Sequence, residues 1–262
     1  MPEPVKSAER ALRIIELLTD LGELDFPDVC AELGIPKSSA HSLLSTMRAM
    51  GFVRLDERSR RYTLGPRVWE AGQAYLRDLD IPQLAMPYMQ RARDELRETV
   101  QLAVLDGIEN VYVGKIESDH PLQLVSRLGS RLPAYATGLG KALLAGLSDA
   151  EVIRRLNGVD MRSYTSHTIT NHAALLDALA DVRRRGYATD RGEYTEGVYC
   201  VAAPINDRTE TVAAISVSIP DVRVNDTTRR RMIQVITTEA AHISHALGAA
   251  SPLLDTVDTA PA

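Results

Sequence analysis

The chain has 262 residues, of which 45% are hydrophobic and 25% charged. This is the composition of a folded globular protein, so global disorder is excluded, and the length suits one large domain or two modest ones. Its only cysteines, Cys30 and Cys200, exclude a disulfide framework and a multi-cysteine metal site. No apolar segment opens the chain, and no run approaches the ~18 apolar residues of a membrane span, so we expect a cytoplasmic protein without signal peptide or membrane contact.

The distribution of charge along the chain is more informative than the net charge. A net charge of −5 by itself argues against a nucleic-acid binder. Residues 36–67, however, carry seven basic and two acidic side chains, whereas the segments on either side are acidic. Such a strip can dock on phosphate while the acidic remainder limits non-specific binding. A solvated protein face carries similar charge runs, so the charge pattern alone does not decide between the two interpretations.

The first 35 residues have the pattern of two helices joined by a short turn. Ser7 suits the N-cap of the first helix, whose apolar residues recur at helical spacing until Gly22 ends it. Asp25 can cap a second, short helix, and Gly34 stands where a C-terminal cap is expected. Pro36 restricts the residue before it and therefore predicts an extended turn.

A third helix is predicted over residues 37–50. One of its faces is a narrow apolar stripe, and the other is small, polar and partly basic, with no acidic residue. A helix that is merely solvated usually includes glutamate, whereas short hydrogen-bonding side chains allow close approach to another surface. The candidate binding face consists of Lys37, Ser38, Ser39, His41, Ser42, Ser45 and Arg48.

Two short alternating segments, residues 52–55 and 61–65, flank a charged tip and predict a β-hairpin. Helix, short helix, turn, helix and basic hairpin is the order of a winged helix-turn-helix, whose recognition helix lies in the major groove of DNA. We therefore expect the polar helix face to contact DNA, with Arg48 binding either a guanine or a phosphate. The wing should reach phosphate or the minor groove through Arg58, Arg60 and Arg61.

The remaining residues predict a linker helix and a second domain. Pro66 can open the linker helix, and Trp69 is interpreted as a packing or dimer residue. Further helices are predicted over residues 82–97, 138–147, 149–156, 173–185 and 227–247. Strands are predicted over residues 100–105, 111–116, 122–128, 187–190, 200–205 and 212–218. This is an α+β plan in which one antiparallel sheet with helices on it buries a single core.

No motif for catalysis or metal binding stands out. The sequence contains no G-x-S-x-G nucleophile elbow, and residues 138–142 lack the glycine spacing and the Ser or Thr of a phosphate loop. His242 and His245 lie three residues apart on the last helix, but an ordinary helix face is a better interpretation than a metal pair. We therefore expect no catalytic residue, no metal and no cofactor.

Several polar residues in the second domain lack an obvious structural reason. Residues 133–142 form a loop that enters a helix, which suits either a small anion or a tightly packed helix start. Asp190 ends a strand, and the glycine-flanked residues 196–200 precede an apolar one. Ser216 and Ser218 share one face of a third strand and imply a polar partner, either buried water or a small ligand.

The chain resembles the IclR family of bacterial transcription regulators over about residues 6–247. Each matching stretch is weak alone, but together they are highly specific. They include KSAERALRIIELL, ELGIPKSSAHSLLSTMRAMGFV, YTLGPRVWEAG, LVSRLGSRLPAYATGLGKALLA, RRRGYATDRGEYTEGVYCVAAPI and AAISVSIP.

The resemblance implies a winged helix-turn-helix in residues 1–65, a linker helix in residues 66–81 and a GAF-like effector-binding domain in residues 82–248. We expect a disordered tail from residue 249, where Ala, Pro and Thr are frequent. Proteins of this family are homodimers or dimers of dimers on palindromic operators in double-stranded DNA. Their effectors are mostly small organic or aromatic acids from catabolic pathways, so a regulator of a catabolic operon is implied.

The resemblance also implies an effector pocket, made of residues that match the family by position. The pocket contains polar residues noted above, and apolar side chains form its remaining walls. These positions are Leu124, Leu132, Gly138, Leu139, Asp190, Val198, Cys200, Ser216 and Ser218.

Two positions depart from the family pattern. Ser42 follows the histidine of the recognition helix where many members have arginine, which puts the base contacts in doubt. Ser59 occupies a wing-tip position where glycine is common, which puts the turn in doubt. Some relatives hold a metal in the effector domain, but Asp190 and Cys200 alone would leave such a site short of ligands.

Two other functions compete with regulation. The second domain could be a small-molecule enzyme with a DNA-binding appendage, which the absence of a nucleophile–base motif disfavours. The winged helix could instead be a protein-interaction module, which would have no need of an isolated basic strip.

Overall fold

The structure is a computed structural model that describes residues 5–78, 81–120 and 127–249. The chain divides into two compact units, Met1–Asp80 and Ile81–Ala262. Among the described residues, no helix combines the length and apolar character needed to cross a membrane. The tail expected to be disordered lies, from residue 250 onward, outside the described residues.

The first unit contains the three predicted helices, the hairpin and the following helix. Its elements are α1 (Lys6–Leu21), α2 (Phe26–Leu33), α3 (Lys37–Ala49), β1 (Val53–Leu55), β2 (Tyr62–Leu64) and α4 (Pro66–Asp78). Asp25 caps α2 by accepting the backbone N–H of Asp28 at 2.8 Å, and Gly34 ends it in the left-handed region. The expectation that Ser7 caps α1 is wrong, because the helix begins two residues earlier than such a cap would allow, with Val5 at the N-cap position and no side-chain cap hydrogen bond.

The helices of this unit pack their apolar stripes into one core. The buried side chains of that core are Ile14, Leu18, Leu24, Val29, Leu44, Met47, Val53 and Tyr62. Leu24 and Tyr62 also exchange two backbone hydrogen bonds, which attach the turn before α2 to the hairpin. The core therefore fixes the orientation of α3, whose opposite face remains in solvent.

The wing hairpin closes without a glycine at its tip. In β1 and β2, Arg54 pairs with Thr63 in antiparallel register. The side chain of Asp56 accepts the backbone N–H groups of Arg58 and Ser59 at 2.7 and 3.1 Å, and Arg60 takes the left-handed conformation with φ of 58°. The Asp56 side chain thus organises the wing-tip turn, which the sequence left in doubt because Ser59 stands where glycine is common in the family.

The second unit is an α+β domain around one sheet, as expected. Its elements are α5 (Ile81–Leu96), β3 (Thr99–Asp106), β4 (Glu109–Ile116), β5 (Arg131–Pro133), α6 (Gly138–Leu144), α7 (Asp149–Leu156), α8 (His172–Arg185), β6 (Ala188–Arg191), β7 (Val198–Asn206), β8 (Thr211–Pro220) and α9 (Asp226–Ala246). The strand order is β5-β4-β3-β8-β7-β6, with every neighbouring pair antiparallel.

The strand predicted over residues 122–128 is not found in the part that the structure describes. Residues 121–126 lie outside the described residues, and residues 127–130 form a turn in which Gly129 has a φ of 81°. The Ser130 hydroxyl and the Arg127 backbone hydrogen-bond across this turn. The next strand among the described residues is β5, which begins at Arg131 and pairs with β4.

Two layers of helices cover the sheet. Leu139 and Leu143 of α6 and Leu175 and Leu179 of α8 pack in one core with side chains such as Ala202 from the sheet. Strand residues that alternate with Ala202 face the other side. On that side α5 and α9 pack against the sheet and each other, joined by an ion pair between Arg91 and Glu239.

The start of α6 is packed too closely for any side chain at Gly140. A Cβ there would lie 2.2 Å from the backbone of Ala134. We expect Gly140→Ala to lower the free energy of unfolding by about 1–3 kcal/mol, as overpacking in a core does. Chemical denaturation measures this change.

Gly72→Ala is the matched control, because Gly72 lies exposed in α4 and a Cβ at that position would meet nothing within 4 Å. There alanine should be neutral or stabilising by about 0.5–1 kcal/mol. Equal stability of Gly140→Ala and the wild type would contradict the packing of α6.

Candidate DNA interface and effector cavity

The third helix presents its polar face to solvent. The buried residues Ala40, Leu44 and Met47 hold the opposite side against the core. All of the residues predicted for this face are exposed: Lys37, Ser38, Ser39, His41, Ser42, Ser45 and Arg48. The acid-free surface inferred from sequence is therefore continuous along the helix.

Thr46 also lies exposed beside this face and was missed from the sequence. Its hydroxyl donates to the backbone carbonyl of Ser42 at 2.9 Å. The hydroxyl is thus turned toward the helix backbone, and the methyl group is what remains for an approaching surface. Helical spacing would have placed Thr46 between Ser42 and Ser39.

The arginines of α3 and the wing are held by exposed carboxylates. Glu57 binds both Arg48 at 3.3 Å and Arg60 at 2.8 Å, which ties the helix to the wing tip. Arg61 binds Glu23 at 2.7 Å. Exposed ion pairs contribute only about 0–1 kcal/mol, so phosphate can displace the carboxylates at little cost. Arg58, the third predicted wing arginine, is exposed at the tip.

The second unit contains a cavity of about 470 Å³ between the sheet and the start of α6. Most of the predicted effector residues line it: Leu132, Gly138, Leu139, Asp190, Val198, Cys200 and Ser218. Ser216 does not line this cavity; it is fully buried two residues along β8 from Ser218, with its hydroxyl 3.4 Å from the side-chain oxygen of Gln101. Leu124 lies outside the described residues.

Strand register produces the polar wall of this cavity. Asp190 of β6 pairs with Cys200 of β7, which pairs with Ser218 of β8. Residues directly opposite in antiparallel strands share a face, so the three side chains form one row. The Ser218 hydroxyl donates to Gln101 at 3.0 Å, which continues the row to β3.

Burial controls the charge of two groups in this row. It raises the pKa of Asp190 to about 6, although the backbone N–H of Glu193 opposes the rise by donating to its carboxylate at 2.7 Å. Glu193 in turn binds the buried Lys141. Burial also raises the pKa of the Cys200 thiol to about 12, so the thiol is neutral near pH 7.

Other lining residues were not predicted from sequence. They are Gln101, Tyr112, Arg127, Ser130, Thr137, Tyr194 and Thr195. Gln101 could have been found, because it is a polar residue in an apolar strand, the same signal that pointed to Ser218. Arg127 was hidden because the sequence pattern favoured a strand over residues 122–128, whereas the structure has a turn there; Ser130 lies in the same turn, just past that predicted strand.

Residues 133–142 were interpreted as either an anion site or a tightly packed helix start. The structure shows the tightly packed helix start. Every residue of α6 is buried, and the Thr137 hydroxyl accepts the N–H of Gly140 at 3.0 Å. The same hydroxyl donates to Asn110 at 2.7 Å. Only the first residues, Gly138 and Leu139, reach the cavity wall.

The histidines do not assemble a metal site in the described ranges, where no group of three or more His, Cys, Asp or Glu residues is placed to hold an ion. His242 instead lies 3.3 Å from Glu239 and 3.4 Å from Arg91, between α5 and α9. Its environment is that of a helix–helix contact.

An exposed polar helix with a basic wing, followed by a sheet domain with an internal cavity, defines a two-part transcriptional regulator. Residues 7–57 match the family described as the IclR helix-turn-helix domain, and residues 73–245 match the bacterial transcriptional regulator IclR C-terminal domain. The chain belongs to the IclR family. It is a DNA-binding transcriptional regulator and not an enzyme.

Named relatives align along nearly the full chain. The HTH-type transcriptional regulator XynR of Escherichia coli (strain K12) is 35% identical over 246 residues, which cover 93% of this chain and 98% of XynR. The crystal structure of the Thermotoga maritima IclR has a TM-score of 0.77 at 30% identity, covering 92% of this chain and 98% of that one. An IclR homologue from Microbacterium hydrocarbonoxydans, complexed with 4-hydroxybenzoate, has a TM-score of 0.81 at 26% identity with the same coverage.

Asp190 should make the stability of the protein depend on pH. Its pKa rises from 3.8 when unfolded to about 6 when folded, so the folded state binds the proton more tightly between these values. The free energy of unfolding therefore falls as pH rises through this window. We expect Asp190→Asn to be more stable than the wild type by up to about 2–3 kcal/mol at about pH 8, and equal to it below about pH 4.

Denaturant titrations at both pH values measure this difference. Asp177→Asn, on the exposed face of α8, is the control and should leave the pH dependence unchanged. If the difference in unfolding free energy between Asp190→Asn and the wild type is the same at both pH values, the buried carboxyl of Asp190 is not the source of the pH dependence.

Proposed function

We propose that this protein is a ligand-responsive regulator of a catabolic operon. In this proposal residues 1–65 bind DNA, residues 66–81 link the domains and residues 82–248 bind the effector. The observation that carries the DNA-binding role is the continuous exposed face of α3, which has no acidic residue and adjoins a basic wing. Because its target is bacterial DNA, we place the protein in the cytoplasm.

We assign α3 to the major groove and the wing to the backbone or minor groove. The short side chains of Ser38, Ser42 and Ser45 allow close approach to base edges and can donate or accept hydrogen bonds. Arg48 has two candidate partners, a guanine and a phosphate. In either case DNA would have to displace Glu57, which forms an ion pair with Arg48 in the structure.

The operator and the assembly follow from the same assignment. One recognition helix reads only a few base pairs, so a homodimer or a dimer of dimers on a palindromic operator would supply the specificity a regulator needs. An effector switches such an assembly only if it binds one arrangement better than the other.

The cavity favours a small carboxylate with a hydrogen-bond donor elsewhere on the molecule. Among the described lining residues, Arg127 is the only cation and Asp190 the only anion. A carboxylate can bind the guanidinium while a hydroxyl donates to Asp190, and the apolar walls suit an aromatic ring. The related protein complexed with 4-hydroxybenzoate supports this class of effector.

The wing arginines should carry non-specific affinity. We expect the double variant Arg60→Ala with Arg61→Ala to bind all duplexes more weakly and to lower the slope of log K against log salt by about 1–2, because two phosphate contacts are lost. Fluorescence anisotropy with a duplex from upstream of the gene, titrated with salt, measures the slope.

The control is Arg184→Ala, an exposed arginine of α8 that is paired with Asp181. It should leave both affinity and slope unchanged. A wild-type slope in the double variant would refute the wing assignment, and a wild-type protein that ignores the duplex at low salt would refute the DNA interface.

Arg127 should select the carboxylate of the effector. We expect 4-hydroxybenzoate to bind the wild type in calorimetric titration, and Arg127→Gln to weaken that binding about tenfold by removing a charge-assisted hydrogen bond. The uncharged 4-hydroxybenzamide should distinguish the two proteins much less.

Arg154→Gln, an exposed arginine of α7, serves as the control and should bind like the wild type. If neither 4-hydroxybenzoate nor any other small aromatic acid binds the wild type, the proposed effector class is wrong. If Arg127→Gln binds as tightly as the wild type, the carboxylate does not sit at Arg127.

A further inference from the structure

The turn between β6 and β7 forms one side of the effector cavity and carries an aromatic side chain. Tyr194 and Thr195, both in this turn, line the cavity. Tyr112 is the other aromatic residue among the described lining residues, and it lies within β4, where strand pairing fixes its position. Tyr194 belongs to no strand, so its position depends on what packs against it.

A second loop, between α7 and α8, holds the backbone of this turn. The hydroxyl of Thr165 donates to the carbonyl of Gly192 at 2.6 Å, and the hydroxyl of Thr168 donates to the carbonyl of Glu193 at 2.6 Å. The Thr168 hydroxyl also accepts the backbone N–H groups of Tyr164 and Thr165, both at 2.9 Å. The two carbonyls just before the aromatic residue of the turn are therefore fixed by one hydrogen-bonded loop.

Tyr164, in the same loop, packs its ring against the ring of Tyr194. The two ring centroids lie 4.7 Å apart, with the ring planes tilted by 47°. Tyr135 extends the cluster, because its ring centroid lies 6.5 Å from that of Tyr164 and its hydroxyl donates to the backbone carbonyl of Arg162 at 3.0 Å. Tilted contacts at such separations are favourable for aromatic rings. They attach Tyr194 to a buried anchor, since Tyr135 is only 2% exposed.

Tyr164 acts on the cavity only through Tyr194. Tyr164 is not among the described residues of the cavity wall, and it is 39% exposed on the surface of the unit. Tyr194 is half-buried and packs against the core that contains Leu139 and Cys200, which both line the cavity. An aromatic side chain on a turn would otherwise be free to rotate into solvent, so the ring of Tyr164 holds that of Tyr194 at the wall.

We propose that Tyr194 makes the effector cavity specific for an aromatic ring, and that Tyr164 is the positioning residue that keeps Tyr194 at the wall. This inference rests on the proposed function, in which a carboxylate binds Arg127 and a hydroxyl donates to Asp190. The ring between those two groups lies beside the turn that follows β6, the strand of Asp190, and meets the Tyr194 ring in a tilted or offset contact. A saturated ring of similar size has no π-system for that contact and gains only apolar burial.

Calorimetric titration of the full-length protein with 4-hydroxybenzoate and with trans-4-hydroxycyclohexanecarboxylate tests the proposal, because these acids carry the same two groups on an aromatic and on a saturated ring. Tyr194→Leu should weaken binding of the aromatic acid about three- to tenfold and leave binding of the saturated acid within about twofold, since leucine keeps the wall apolar. The preference of the wild type for the aromatic acid falls accordingly. The two hydroxyls differ in acidity, but this difference is common to both proteins and cancels in the change of preference.

Two variants of Tyr164 test its positioning role. Tyr164→Leu should lower the preference for the aromatic acid, whereas Tyr164→Phe should keep it, because the contact between the rings needs no hydroxyl. A merely structural role would weaken binding of both acids alike. Tyr187→Leu is the control: Tyr187 is a half-buried tyrosine outside the cavity, with the guanidinium of Arg185 5.2 Å from its ring centroid. This variant should bind both acids like the wild type.

An unchanged preference in Tyr194→Leu, with 4-hydroxybenzoate still bound, would overturn this inference and leave the proposed effector class standing. So would an equal loss of both acids, because the Tyr194 ring would then only fill space. If Tyr164→Leu keeps the wild-type preference, or Tyr164→Phe loses it, the ring of Tyr164 does not position Tyr194. If the wild type binds neither acid, this inference fails; if it also binds no other small aromatic acid, the proposed effector class fails with it.

Discussion

Strand register is the constraint on which the polar wall of the cavity in the second unit depends. Asp190, Cys200 and Ser218 come from three strands, and only the observed pairing of β6, β7 and β8 puts them side by side. A slip of one residue would turn all of β7 over, exchanging Cys200 for Tyr199 on the cavity side. The apolar residues that alternate with the polar row prevent this, because they are buried under α5 and α9 and would lose their packing.

The two units use charge in opposite ways. In the first unit the ion pairs of Arg48, Arg60 and Arg61 are exposed and weak, so the arginines can change partners when a polyanion arrives. In the second unit Lys141 and Glu193 are buried together, and separating them would leave a charge without water or partner. The first arrangement suits reversible binding, whereas the second fixes the backbone that donates to Asp190.

The sequence predicted elements with local signals and missed those that depend on distant partners. Asp25 and Gly34 marked the ends of α2 because caps act within a few residues. The short strand β5 at Arg131 was not predicted, because three residues carry little local pattern and only pairing with β4 defines them as a strand. In the cavity, the match to family positions supplied Asp190 and Cys200, while Arg127 comes from a turn whose fold no local pattern revealed.

The second unit contains several polar groups that the fold leaves poorly satisfied. The hydroxyl of Tyr199 and the side-chain nitrogen of Asn110 are buried without a partner among the described residues. The side-chain oxygen of Asn110 accepts a hydrogen bond from Thr137, which lines the cavity. Asp190 is buried with its pKa raised to about 6, so near neutral pH it carries a charge that burial disfavours. A domain built for stability alone would replace these groups with apolar ones. Their retention makes the unliganded domain less stable than its core allows, and any ligand that satisfies them stabilises the fold by the same interactions that bind it.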